Sequence, residues 1–427
     1  MIFEVTKVLL TIISFCILMK GINTSPNKYV QFLLLAFWLR FFLGAFHQFT
    51  YVPVIGAFSL TAFFSILVAA VGLLVIPKRT LLLKQLVLLY IFFITILLSA
   101  IYNGLWSGFI IVLIKWVYFL VITCCLYLAI NRNGITATFK PLLLAFFLPI
   151  SLQIASILLG AKKVTDNEGA AYSYIGGYFH ESGFSMILVA FLIILSLLKK
   201  EDIRFQTLLF LIGTIGIFLT NYRTTIIAVL PVLLIFFFSK AESKIEQKYH
   251  PFFILAFGCC SLFLLSVFFT FNQERFADIG IVLGSIENLI KAPLYYTELE
   301  KDLFSERLYI WSQYLSAFFA ADTWTHIFGF GPESYIGRFE KYAHNTFVSF
   351  LYEFGYLGFF IFIIFNLILL KNAFLLRNKA ISLRIFYSLI GFLTLNLATM
   401  PLWALEGMII YAILISVILS KNAVGRV

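Results

Sequence analysis

Charge is scarce in this sequence. Only 12% of its 427 residues are Asp, Glu, Lys or Arg, while 62% are hydrophobic and the mean hydropathy is +1.01. Soluble domains carry about twice that share of charge, so a pair of soluble domains, which the length alone would suggest, is excluded. Cysteine is equally sparse. Cys16, Cys124, Cys125, Cys259 and Cys260 all lie inside apolar runs, with neither CxxC spacing nor a Cys/His cluster, which removes a disulfide framework and a zinc site. The chain also lacks an Asp-x-Asp, a P-loop and a Gly-x-Gly-x-x-Gly after a strand, so nothing in it is built to hold a nucleotide or a nucleotide sugar. Glu298-Leu-Glu300 offers two loop carboxylates, a thin basis for a divalent ion. Glu4 and Lys7 make a poor basic start and no A-x-A follows, so a cleaved signal peptide is not expected.

What is present is a series of apolar runs long enough to cross a bilayer. The pattern predicts helices at roughly 6–21, 29–46, 54–76, 81–101, 107–130, 140–160, 178–198, 205–220, 223–239, 251–272, 346–370, 383–399 and 402–420. Each must be helical, because lipid satisfies no open backbone group. The expected fold is therefore all-α: a polytopic transmembrane helical protein of about 12–13 spans, with one large extracytoplasmic loop containing short helices. The net charge of +11 does not signal nucleic acid. Nineteen of the 31 basic residues, from Lys20 to Arg426, fall in alternate gaps between apolar runs, which is the positive-inside pattern of a membrane protein.

That pattern leaves 273–345 as the only large segment on the opposite side. It divides the chain into 1–272 with ten helices, the loop 273–345, and 346–427 with the last helices. The loop holds ten of the twenty acidic residues. Its stretch Ser305 to Ala320 shows apolar residues at helical spacing, as in a helix lying on the membrane surface. A loop this long in a compact protein usually carries function.

Within and just after the loop come Arg307-Leu-Tyr-Ile-Trp311, Phe328-Gly-Phe-Gly-Pro332, Ala343-His344-Asn345 and Glu353-Phe-Gly-Tyr-Leu-Gly358. These four pieces, in order across 307–358, resemble the O-antigen polymerase/ligase family. The resemblance implies a metal-independent glycosyltransferase without a cofactor, acting at the outer face of the bacterial inner membrane on an undecaprenyl-pyrophosphate-linked glycan. Membrane lipid is an expected neighbour, a chain-length regulator and a flippase are expected partners, and nucleic acid is not. Two acceptors stay open: the next lipid-linked repeat unit, making a polymerase, or the lipid A core, making a ligase. His180-Glu181-Ser182 partly matches the Glu-Pro-Ser of some polymerases, but the proline is missing. A lipid-linked oligosaccharide flippase or transporter is the reading from another class. It accounts for many helices but not for the loop, and no inverted repeat is visible.

The chemistry suggests roles for particular residues. His344 stands where the loop enters a helix and has the side chain best suited to take a proton near neutral pH. Arg223, in a very short hairpin after Asn221-Tyr222, resembles the family's arginine there. Arg223 and Arg307 offer the planar fork that suits pyrophosphate. An ion pair of Arg307 with Asp302 or Glu306 is the alternative. Arg40 and Lys115 are expensive inside apolar runs unless paired or facing a wet cavity, which makes them substrate-binding candidates along with His180 and Glu181. Asn345 can orient His344 or cap the helix. Gly329 and Gly331 form a turn whose amides are candidates for a phosphate cradle. Glu353 is expected to partner a buried cation, and Glu406 has no motif around it.

Overall fold

The computed structural model describes residues 2–55, 58–164, 172–271, 273 and 291–420; most of the first part of the loop, 274–290, lies outside them. Helices occupy all thirteen predicted runs. In chain order they are α1 (Ile2–Thr24), α2 (Lys28–Ala45), α3 (Leu60–Val75), α4 (Val87–Asn103), α5 (Trp106–Leu142), α6 (Phe147–Leu158), α7 (Glu181–Leu197), α8 (Gln206–Leu219), α9 (Arg223–Glu242) and α10 (His250–Phe271). The loop contributes α11 (Arg307–Phe319) and α12 (Thr323–Phe328), and the chain continues through α13 (Thr346–Phe374), α14 (Lys379–Ala398) and α15 (Leu405–Leu419). Among the described residues eight helical stretches are long and apolar enough to cross a membrane, one of them running from Trp106 to Leu158 through a break at Gly134. Four more, α3, α7, α8 and α15, are apolar but shorter. The protein is an all-α, multi-pass membrane protein.

The helices begin where the sequence supplies caps. Asn27, Ser59 and Asn378 each turn a side-chain oxygen back onto a free amide of the first turn, replacing water that the membrane does not provide. Burial then sorts the helices. α7 and α15 are enclosed on nearly every side, so they form the axis of the bundle, as expected for helices that are apolar all round. Leu74, Ile94, Leu255 and Phe360 on the other helices stay largely exposed, an apolar flank that suits hydrocarbon. The described part of the loop packs over one end of this bundle. Ile310, Tyr314 and Phe318 of α11 bury one stripe against Ala343, Tyr352 and Met400.

One buried ion pair ties the two halves of the chain. The Arg40 guanidinium on α2 reaches Glu406, at the start of α15, with Nη2 at 2.8 Å and Nε at 2.9 Å from the same oxygen. Both side chains are almost wholly enclosed. Such a pair contributes little net stability when intact, but removing one partner leaves a buried charge. Arg40→Met or Glu406→Leu alone should therefore cost about 3–5 kcal/mol. The double substitution should cost less than either single one, read as unfolding midpoints in detergent. Additive losses would contradict the coupling.

Candidate functional site

The site is built on a break in α13. Gly355 has φ 64° and ψ −167° in the middle of that helix, a conformation that glycine adopts without a steric penalty. The carbonyls of Tyr352 and Glu353, which an unbroken helix would use internally, point sideways instead. They accept the amides of Phe330 (2.8 Å) and Gly331 (3.0 Å) from the loop. The two backbones approach so closely that a Cβ on Gly355 would sit 2.4 Å from the Ile327 carbonyl oxygen, and one on Gly329 2.3 Å from the Glu353 backbone. From α4, the Asn103 amide donates to the Gly329 carbonyl (3.0 Å) and the Ser99 hydroxyl to the Glu353 carbonyl (2.8 Å). The Gly-x-Gly and Glu-x-Gly pieces are thus two sides of one clasp between loop and helix.

Helix α11 holds the segment that follows. The Trp311 indole N–H donates to the Ala343 carbonyl (2.8 Å), and the Tyr314 hydroxyl to the Lys341 carbonyl (3.0 Å). Between these straps and the cap of α13, His344 adopts φ 49°, left-handed geometry that costs a side-chain-bearing residue about 1–3 kcal/mol and recurs at functional sites. Its ring lies 3.9 Å from that of Tyr342, and its Nδ1 is enclosed without a hydrogen-bond partner. Enclosure pushes the imidazole well below the usual histidine range, to about 4, and the charges of Arg307, His180 and Lys341 act in the same direction. At neutral pH it is an uncharged base among cations.

The polar groups around it come from separate parts of the chain. Arg307 is held by two backbone carbonyls, Ala398 at 3.0 Å and Phe304 at 3.2 Å; no ion pair with Asp302 or Glu306 forms, since Glu306 instead pairs with Lys341. His180 caps α7, with Nδ1 accepting from the Ser182 amide at 3.1 Å; burial lowers its pKa as well. Its ring lies 6.3 Å from that of Tyr222, which brings the start of α9, where Arg223 is exposed, to the same place.

Beside this cluster, a cavity of about 240 Å³ opens between Lys115, Ser182, Tyr335, Tyr342, Thr399 and Trp403. Lys115 does not present a bare charge there. Its ammonium lies 3.0 Å from Glu333, whose own backbone is left-handed (φ 57°) and whose amide donates to the Glu353 carboxylate at 2.8 Å. The other oxygen of Glu353 accepts from Ser349 at 2.7 Å.

The structure brings together His344, Arg307, His180, Asn345 and the start of α9, and it revises several expectations. Gly329 and Gly331 cannot cradle a phosphate with their amides, which already donate to the Thr325 and Glu353 carbonyls. Asn345 acts as the cap of α13, accepting from Phe347 (2.9 Å) and Val348 (3.2 Å). Arg40 is committed to Glu406. Glu181 is buried against Ser173 (3.0 Å) and Lys163 (3.2 Å). Among the described residues Glu353 contacts no cation directly; Glu333 stands between it and Lys115. Glu298 and Glu300 are each taken by a lysine, Lys301 and Lys291, and among the described residues no three metal-ligating side chains converge. Sequence reasoning missed Glu333, Tyr335, Tyr342 and Trp403. Only for Glu333 was there a signal, since Lys115 in an apolar run demands an anion.

Fold and site define a class: a multi-pass membrane protein whose polar groups gather under a loop at one end of the bundle. Residues 208–363, which hold Arg223, Arg307, His344 and both halves of the clasp, match the family model for O-antigen ligase. The match supports the O-antigen ligase/polymerase family, and that family implies glycosyl transfer on lipid-linked glycans. No curated protein matches the chain.

Two measurements check this geometry. Gly355→Ala should cost more than about 2 kcal/mol, from left-handed strain and the backbone clash. Gly258→Ala, at a helical glycine with open space around it, should be neutral or stabilising by less than about 1 kcal/mol. Equal effects would contradict the clasp. In a histidine NMR titration of the detergent-solubilised protein, His344 should titrate at about 4 rather than near the ordinary value of about 6.5. Arg307→Gln should move it upward, because removing a cation favours the protonated form.

Proposed function

We propose that the protein polymerises undecaprenyl-pyrophosphate-linked repeat units into a surface polysaccharide at the periplasmic side of the bacterial inner membrane. Residues 273–345 are the catalytic loop between two membrane parts. The observation that carries this reading is the enclosed His344 imidazole at the loop end of the bundle, held at φ 49° with its ring 3.9 Å from that of Tyr342 and kept uncharged by burial and by Arg307 and Lys341. Arg307, with Arg223 at the neighbouring helix start, is the seat for the donor's pyrophosphate.

The chemistry follows from that arrangement. An acceptor hydroxyl oxygen attacks the anomeric carbon of the donor sugar, with inversion. The bond from that carbon to the pyrophosphate oxygen breaks, and the electron pair leaves with the lipid pyrophosphate. The arginines stabilise the charge growing on the leaving group, and His344 takes the hydroxyl proton. Before the donor binds, His344 is a weak base. The negative pyrophosphate offsets the surrounding cations and raises the imidazole pKa, so the base gains strength only when there is a donor to use it on. Charges gathered at one end of the bundle favour this reading over a transporter, which needs them near the midplane.

A ligase reading has one observation in its favour, the description of the matching family model as O-antigen ligase. Purified protein given lipid-linked repeat units alone separates the two. We expect a ladder of glycan lengths from wild type, and at least about a hundredfold slower growth for His344→Ala, the usual scale for a lost acid–base group. No ladder, but transfer once lipid A core is added, makes the protein a ligase. Full turnover in both His344→Ala and Arg223→Ala would remove the mechanism.

A further inference from the structure

The cavity between Lys115, Ser182, Tyr335, Tyr342, Thr399 and Trp403 has a chemistry distinct from the cations beside it. We propose that it is the subsite for the acceptor's terminal sugar ring, with Tyr342 as the platform joining that ring to His344. The proposal rests on the glycosyl-transfer reading and adds which part of the substrate lies where.

Charge separates the two places. Among the described residues on the cavity wall Lys115 is the only cation, and Glu333 neutralises it at 3.0 Å. A pyrophosphate gains little there compared with Arg307, whose partners are neutral carbonyls. An uncharged, hydroxyl-rich ring fits instead. Tyr335, Tyr342 and Trp403 offer apolar faces to sugar C–H groups, while Ser182, Thr399 and Lys115, from three separate segments of the chain, offer hydrogen-bonding atoms. This combination of aromatic wall and a few convergent polar groups is the usual composition of a small-molecule site.

Tyr342 settles which sugar. Its ring packs against the His344 ring at 3.9 Å while it also lines the cavity. A sugar seated on it is next to the candidate base, as the attacking hydroxyl must be. The ring needs no new backbone to hold it: the neighbouring carbonyls of Lys341 and Ala343 are already fixed by Tyr314 and Trp311.

Binding of the sugar without its lipid isolates this site. The probe is the repeat-unit oligosaccharide released by mild acid from lipid-linked intermediates of the same cells, with tryptophan fluorescence as the readout because Trp403 lines the cavity. Wild type should respond saturably. Tyr342→Ala should weaken the apparent affinity by about tenfold, the scale of one lost aromatic contact, and Tyr342→Phe should stay within about twofold of wild type. Trp403→Phe should lose most of the fluorescence response. Undecaprenyl pyrophosphate without sugar should bind Tyr342→Ala and wild type alike. A wild type that does not respond, or a Tyr342→Ala that binds the oligosaccharide normally, overturns the subsite. So does a Tyr342→Ala that loses undecaprenyl pyrophosphate instead. Intact oligosaccharide binding in a protein that transfers nothing would refute the enzyme reading and leave the subsite standing.

Discussion

The clasp at Gly355 is the constraint on which the rest of the site depends. A membrane helix keeps its carbonyls to itself because lipid offers no donors. Here one turn of α13 gives up that internal bonding, and the loop supplies the missing donors through Phe330 and Gly331. The exchange is nearly neutral in hydrogen bonds, yet it fixes a long polar segment onto an apolar bundle at a defined register. Everything beyond it is placed relative to that register: Glu333 opposite Lys115 on one side of the turn, and the strapped segment ending in His344 on the other.

The same logic explains why the site tolerates strain. Six residues other than glycine take positive φ among the described residues, and five of them, from Phe304 to His344, lie in the loop. Left-handed geometry at His344 persists because Trp311, Tyr314 and the Asn345 cap fix the chain on both sides of it. The result is an enclosed imidazole in a field of cations, a state that is unfavourable for its protonated form until an anion arrives. Stability and chemistry meet at that point: Trp311, Tyr314 and Asn345 fix the strained backbone, while enclosure and the neighbouring Arg307 and Lys341 disfavour the protonated ring.

Much of the fold was legible because the membrane imposes it. Thirteen apolar runs between basic gaps became helices at nearly the expected places. The differences have local causes. The third begins only at Leu60, because Pro53–Ile55 pairs with Phe58–Ser59 in a small hairpin. The fifth and sixth are joined through the break at Gly134 rather than by a loop. At the site, His344 and Arg307 were singled out as candidates because their residue types suit the task within a recognisable motif. Glu406 as the partner of Arg40 was not, since nothing local links positions 366 residues apart. Gly329 and Gly331 were misread because a sequence shows that a glycine gives backbone freedom, but not which carbonyl its amide will meet.

The central claim is that the cations around His344 form the seat of a lipid pyrophosphate. The most direct measurement is a cryo-electron microscopy structure of the protein in nanodiscs with undecaprenyl pyrophosphate bound. The account predicts phosphate density against Arg307 and the start of α9, within reach of the His344 ring and outside the Lys115 cavity. Density in that cavity, or at the opposite end of the bundle beside Lys240 and Arg384, would contradict it.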